Sequence, residues 1–147
     1  MAIMSALDVF MRLLGEPSRD EFDLDDDEAV RFEARANHTQ NRRRAVGGKL
    51  FVTDRRVGFR PHSFDDTLGG KHVDAPLEAI ETVTTEPARR SLGAILRSPL
   101  EALFGGGLRA RLRIETDDGD AELFFVDDIE TAIDVIEDAR RQRTASR

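Results

Sequence analysis

The stretch GKLFVTDRRVGFRP, residues 48–61, decides the fold of this chain of 147 residues. Side chains alternate between the two faces of a strand, so Leu50 and Val52 share one apolar face. Residues 54–55 are polar and suit a tight turn, in which aspartate can hydrogen-bond its own backbone. Pro61 ends the second arm because proline has no amide proton for a ladder. This pattern predicts two short strands joined as a hairpin.

Further strand patterns lie on both sides of the hairpin. The predicted strands outside it cover residues 29–36, 71–74, 80–85, 108–116 and 123–126. On residues 80–85 the alternation predicts that Val83 faces away from Ile80. Residues 117–120 hold three aspartates and a glycine, which suit a tight turn better than a metal site. The sequence therefore predicts seven strands.

A final amphipathic helix follows the last strand. Asp127 and Glu130 form a capping box, which is typical of a helix N-terminus. The apolar face of the helix consists of Ile129, Ala132, Ile133, Ile136 and Ala139. This stripe is expected to pack against the strands.

The hairpin resembles the signature of the GRAM domain, a member of the pleckstrin-homology (PH) superfold. GRAM-like chains carry a small residue, a Leu-x-Val-Thr run, a polar pair, Arg and an apolar-x-Phe run, and residues 48–59 match this order. They continue to a Pro-Leu-x-x-Ile turn, for which residues 76–80 are the counterpart. The resemblance covers about residues 28–143. It implies an α+β, mainly β, fold: a PH-like seven-stranded bent antiparallel barrel capped by a C-terminal helix.

Other segments extend this GRAM/PH-like domain. Residues 1–17 are predicted to form an N-terminal helix, residues 18–27 an acidic linker, and residues 144–147 a tail. The linker lacks the alternating carboxylates and the glycine of a calcium loop, so a solvated acidic run is expected. Residues 87–107 are predicted to be an insertion with two short amphipathic helical pieces.

The charge composition is lopsided. The chain has 29 acidic and 22 basic residues, a net charge of -7, and Lys49 and Lys71 are its only lysines. This composition resembles that of proteins from halophilic archaea, in which an acidic surface maintains solubility. No apolar run approaches the roughly 20 residues that span a bilayer. A cytoplasmic protein is expected, with peripheral contact to the inner membrane face as one option.

Catalysis finds little support in the sequence. The chain has no cysteine, and His38, His62 and His72 lack the spacing of metal ligands. No serine lies in a nucleophile elbow, and no glycine-rich loop carries a phosphate-binding lysine. We therefore expect a non-catalytic protein without a metal or cofactor.

The resemblance implies an anion site among three loops. PH-like modules bind lipid headgroups between the loops that follow the first, third and sixth strands, here residues 37–46, 61–70 and 117–120. The predicted anion-binding residues are Arg42, Arg43, Arg44 and Lys49. Arginine offers bidentate contacts to phosphate, although the aspartates of the last two loops oppose an anion.

A second predicted contact surface is apolar. It lies in the insertion and consists of Leu92, Ile95, Leu96, Leu100, Leu103 and Phe104. Such a segment can enter a membrane interface, contact a partner protein or fold back on its own domain. Apolar contact persists in molar salt, where the Debye length is only about 3 Å.

Three functions remain open at this stage. The first is a peripheral membrane or protein-interaction adaptor. The second is a homo-oligomeric scaffold without lipid binding, which would dimerise through the N-terminal helix and residues 91–104. The third is a nucleic-acid-associated regulator with a basic stripe at Arg109, Arg111 and Arg113. The net charge and the absence of Trp and Tyr disfavour the third.

Overall fold

The computed structural model describes residues 19–41, 44–62, 69–87 and 110–146. Within these ranges the chain forms seven strands followed by one long helix, which confirms the predicted mainly β architecture. The predicted N-terminal helix, residues 1–17, lies outside the described residues. So does the predicted insertion, except for Pro87.

Two residues separate β1 from β2 and β2 from β3, whereas residues 62–72 separate β3 from β4. The strands are β1 (Val30–Asn41), β2 (Arg44–Thr53), β3 (Arg56–Pro61), β4 (Val73–Pro76), β5 (Ile80–Glu86), β6 (Arg111–Thr116) and β7 (Ala121–Val126). The helix, α1, covers Ile129–Ala145, and two 3-10 turns cover Arg19–Phe22 and Leu77–Ala79. Among the described residues no helix is long and apolar enough to cross a membrane.

The seven strands make one antiparallel sheet in the order β4-β3-β2-β1-β7-β6-β5. Neighbours in the sheet are neighbours in sequence everywhere except at β1 and β7. The two edge strands, β4 and β5, are joined by the 3-10 turn Leu77–Ala79. In the described part of the chain no hydrogen-bonded ladder joins β4 to β5. The strands predicted to form a barrel therefore form an open sheet.

The β2–β3 hairpin confirms the prediction for residues 48–61. Leu50, Val52, Val57 and Phe59 all lie in the apolar core. Gly58 faces Phe51 across the ladder, and a Cβ atom on it would lie 2.2 Å from Cζ of that ring. The glycine is therefore required by the close approach of the Phe51 side chain.

Several strands differ from their predicted extents or alternation, and β7 starts at Ala121 rather than at residue 123. β1 continues to Asn41, five residues beyond the predicted end, because its polar second half pairs with β2 and β7 at once. β4 starts at Val73 rather than at residue 71. A register shift between Ile80 and Thr82 changes the alternation of β5, so Ile80 and Val83 are both buried. The prediction that they face opposite sides was wrong, because a β-bulge adds a residue to one strand.

Helix α1 closes the core. Ala132, Ile136 and Ala139 are buried among the core residues of the strands, and Ile129 and Ile133 are half-buried against them. The N-cap is Asp128, whose carboxylate accepts a hydrogen bond from the Thr131 amide at 3.1 Å. The predicted cap, Asp127, lies one position too early.

Two arginines attach α1 to the edge of the sheet. Arg140 Nη2 donates to the carbonyl oxygens of Ile80 and Glu81 at 2.6 and 3.1 Å. Arg143 Nε donates to Glu78 at 2.6 Å. The Arg140 bonds satisfy backbone carbonyls of β5, and the Arg143 bond holds the helix over the β4–β5 turn.

The packing of α1 gives a first prediction. The substitution Ile136→Ala removes a fully buried side chain and should lower the free energy of unfolding by about 2–5 kcal/mol. Ile133→Ala, on the same helix but half-buried, should cost less. Urea denaturation followed by circular dichroism measures both. Equal effects would contradict the packing described here.

Candidate functional site

The predicted ligand position is the end of the sheet at which the β1–β2, β3–β4 and β6–β7 connections meet. Thr39 pairs with Leu123, which places the end of β1 beside the start of β7. From the β3–β4 connection, Lys71 reaches Glu122 on β7, with 2.9 Å between Nζ and Oε1. We call His38, Lys71, residues 117–120 and Glu122 the loop end.

His38 lies inside this end of the sheet. Its side chain is 1% exposed, and its ring lies 5.4 Å from that of Phe59 and 5.0 Å from that of Phe124. Nε2 lies 2.5 Å from Oε2 of Glu122, 84 positions away in sequence. The sequence predicted a loop residue at this position, whereas the structure gives a buried strand residue. Its burial follows from the unexpected length of β1.

Glu122 bridges His38 and Lys71. The hydrogen bond from His38 lowers the pKa of Glu122 below its ordinary value, burial opposes this, and Lys71 lowers it further. The carboxylate therefore only accepts, so Nε2 of His38 is the donor in this contact. The bond to Glu122 raises the pKa of Lys71, and Asp120 and Asp118 raise it further. The Lys71 ammonium group therefore already interacts with the carboxylates of Glu122, Asp120 and Asp118.

Within the β6–β7 turn, an aspartate makes hydrogen bonds that stabilise the turn itself. Asp118 accepts hydrogen bonds from the Thr116 hydroxyl and from the Asp120 amide, and these bonds lower its pKa. Gly119 has a φ of +88°, a left-handed conformation that glycine adopts at low cost. In the described residues no three metal-ligating side chains lie close enough to hold a metal ion.

The structure does not bring the described members of the predicted anion site together. Arg44 begins β2 beside Asn41, whereas Lys49 lies five residues further along the strand. This odd spacing puts their side chains on opposite faces. Nζ of Lys49 lies 3.7 Å from a carboxylate oxygen of Glu33. Arg42 and Arg43 are outside the described residues, as are all six residues of the apolar contact surface.

The basic stripe proposed for nucleic acid is neutralised where it is described. Arg111 lies 3.4 Å from Glu86, and Arg113 lies 2.6 Å from Glu115 on its own strand. The guanidinium carbon of Arg111 also lies 5.6 Å from the centroid of the Phe125 ring, within cation–π range. Arg109 is outside the described residues.

A second polar cluster, which the sequence did not predict, lies on the outer face of β2, β3 and β4. We define the outer-face cluster as Phe22, Glu28, Phe51, Arg56, Arg60 and Asp74. Burial acts to raise the pKa of Glu28, yet hydrogen bonds from Arg56 and Thr53 hold it below its ordinary value. The available signal was Phe51, a large apolar residue on the predicted polar face of the hairpin, opposite Gly58.

Known proteins match this chain in structure but not in sequence. No protein-family model matches the chain, and no curated protein matches its sequence significantly. Among solved structures, the hSac2 domain of the human phosphoinositide phosphatase Sac2 aligns over 98% of this chain and 85% of its own, with a TM-score of 0.51 and 14% identity. The C-terminal domain of an unknown protein from Leishmania infantum aligns over 77% of this chain and 84% of its own, with a TM-score of 0.53 and 12% identity.

These similarities concern the fold alone. The hSac2 domain has a PH-like fold, so the expectation of a PH-like sheet with a C-terminal helix is supported at this level. At 12–14% identity neither structure assigns a ligand or an activity to the present chain.

The Glu122 bridge predicts a pH dependence of stability. Because its folded pKa is lowered, ionised Glu122 stabilises the native state above its ordinary pKa of 4.5, and this contribution is lost as pH falls through the folded pKa. Glu122→Gln should therefore destabilise the protein near pH 7, and the difference from wild type should shrink in acid. Urea titrations from pH 7 to pH 3 measure it.

The control for this measurement is Glu81→Gln on β5, where the side chain is exposed. It should change the free energy of unfolding by less at pH 7. A Glu122→Gln effect that stays constant down to pH 3 would show that the carboxylate charge is not what stabilises the loop end.

Proposed function

We propose that this chain is a non-catalytic GRAM/PH-like binding module that works as an adaptor, in contact with a membrane surface or a partner protein. The observation that carries the proposal is the loop end of a PH-like sheet in which Lys71 and His38 are already bound to Glu122. In PH-like folds this position is a lipid-headgroup site, but here most of its described residues are acidic. The adaptor contact is therefore assigned to another surface.

Electrostatics argue against an anionic headgroup at the loop end. An anion there would face the carboxylates of Asp118, Asp120 and Glu122, with the Lys71 charge shared among them. At 4 Å a pair of like charges costs about 1–4 kcal/mol between bulk water and a protein surface. Release of Lys71 would also leave Glu122 half-buried with one partner fewer.

The apolar segment, residues 91–104, fits the adaptor function better than the loop end. Hydrophobic burial is strengthened by some salts and does not depend on long-range attraction, whereas exposed charge is screened. The same segment is the predicted surface of the homo-oligomeric alternative. A cytoplasmic location, with peripheral contact at the inner membrane face, and a salt-loving origin complete the proposal.

Liposome flotation in molar salt tests the proposal. We expect that phosphoinositide in the vesicles does not increase the bound fraction of the wild-type chain. Flotation that is lost on deletion of residues 91–104 would assign the contact to the membrane. Absence of flotation, together with a dimer mass by light scattering, would assign it to a protein interface.

Matched variants separate the loop end from the apolar segment. Lys71→Ala removes the lysine of the loop end, and Lys49→Ala removes the lysine on the outer face of β2. Neither should change flotation if the contact is apolar. Phosphoinositide-dependent flotation that Lys71→Ala abolishes would overturn the proposal, as would turnover of a phosphoester or peptide substrate.

A further inference from the structure

The outer-face cluster is built around the ring of Phe51. One edge of the ring occupies the space left by Gly58. The guanidinium carbons of Arg56 and Arg60 lie 5.5 and 5.4 Å from the ring centroid, within cation–π range. Phe51 is fully buried although it faces away from the main core. The strands thus form an aromatic slot with two cationic walls.

The arginines of this slot are held by groups on the sheet and by Glu28, which lies just before β1. Arg56 donates to Glu28 through Nε at 2.9 Å and to Asp74 through Nη1 at 2.7 Å. Arg60 donates to the carbonyl of Val73 at 3.1 Å and to Asp74 at 3.0 Å. Glu28 itself is fixed by the Thr53 hydroxyl at 2.6 Å. Each arginine therefore has partners besides the residues that fill the slot.

One aromatic side chain and two carbonyls of the chain itself fill the slot. Phe22 is completely buried and stacks on Phe51, with 4.1 Å between ring centroids and 10° between planes. Arg56 Nη2 donates to the carbonyl oxygens of Phe22 and Asp23 at 2.8 and 2.9 Å. Glu21 and Asp23, on either side of Phe22, are exposed. The slot therefore contacts one aromatic ring and the backbone carbonyls beside it.

The backbone after the ring has a restricted conformation. Asp23 has a φ of 53°, in the left-handed region that aspartate, asparagine and glycine visit more readily than other residues. This turn brings two successive carbonyl oxygens to the same guanidinium nitrogen. A β-branched residue at this position would make the turn costly.

We propose that Phe51, Gly58, Arg56 and Arg60 form a recognition slot for a short peptide motif, a phenylalanine followed by aspartate, asparagine or glycine. In this chain the motif Phe22–Asp23 occupies the slot in cis. A partner protein that carries the same motif in an accessible segment would compete for it and release the Phe22–Asp23 motif, while Glu28 stays in place beside Arg56. This surface is separate from the loop end and does not depend on the adaptor assignment.

The cis motif should be a strong competitor. Its short tether, residues 24–27, gives it an effective concentration of the order of millimolar or above. The tether makes further contacts to Arg55 from Asp25 and Asp27, but these ion pairs are exposed and weak in salt. A peptide in trans is therefore expected to bind poorly until the cis ring is removed.

The test uses the full chain and a fluorescein-labelled peptide with the sequence of residues 17–27, PSRDEFDLDDD. By fluorescence polarisation, the peptide should bind the Phe22→Ala chain at least tenfold more tightly than the wild-type chain. Circular dichroism establishes that the variant is folded. Equal binding to both chains, or no binding to a folded Phe22→Ala chain, would overturn the proposal.

Peptide variants test the motif itself. Substitution of the phenylalanine by alanine should abolish binding to the Phe22→Ala chain. At the following position, Asp23→Gly should preserve binding, whereas Asp23→Val should weaken it at least tenfold. If valine binds as well as aspartate, the left-handed turn is not part of the recognition and the proposed motif is wrong.

A second experiment applies if Phe22→Ala does not fold. A protease site replaces residues 24–27 of the otherwise wild-type chain, which is then cleaved in the folded state. The N-terminal fragment should remain bound and should be displaced by excess peptide 17–27, but not by its Phe→Ala form. A fragment that the peptide does not displace, or that both peptides displace equally, would contradict an exchangeable slot.

Discussion

The pairing of β1 with β7 is the interaction on which the rest of the structure depends. Ala36 to Thr39 on β1 pair with Leu123 to Val126 on β7, and this ladder joins the meander β1–β4 to the meander β5–β7. It is also the point at which strands far apart in sequence meet. Its loop-closure entropy must be overcome before the core is complete, so we expect it to form late in folding.

Both the helix and the loop end follow from this ladder. Because α1 begins directly after β7, the position of β7 fixes where Ile136 can enter the core. Because Phe124 lies opposite His38 in the same ladder, Glu122 lies next to the imidazole of His38 and to Lys71. The charge arrangement of the candidate site is therefore a consequence of topology.

The parts of the structure that could be predicted from the sequence are those that local patterns determine. The alternation in residues 48–61 and the helical stripe around Ile136 depend on neighbours within a few positions, so both hairpin and helix could be predicted. The bulge after Ile80 could not, since a two-residue period contains no sign of an extra residue. The His38–Glu122 contact spans 84 positions and has no local signature. Similarly, Phe51 is buried on the outer face because Phe22, from outside the sheet, stacks on it and two arginines lie beside it.

The pairing of Glu86 with Arg111 determines where extra residues can be inserted into this fold. These two residues are partners at the last rung of β5 and β6, with β5 an outer strand of the sheet, so the ends of the intervening segment are held side by side. A flexible loop pays only about 0.6 kcal/mol for each doubling of its length. A folded cargo, such as a fluorescent reporter grafted between Pro87 and Ala110, would thus leave every other strand pairing undisturbed. Natural variation in chain length among proteins of this architecture should accumulate at the same junction.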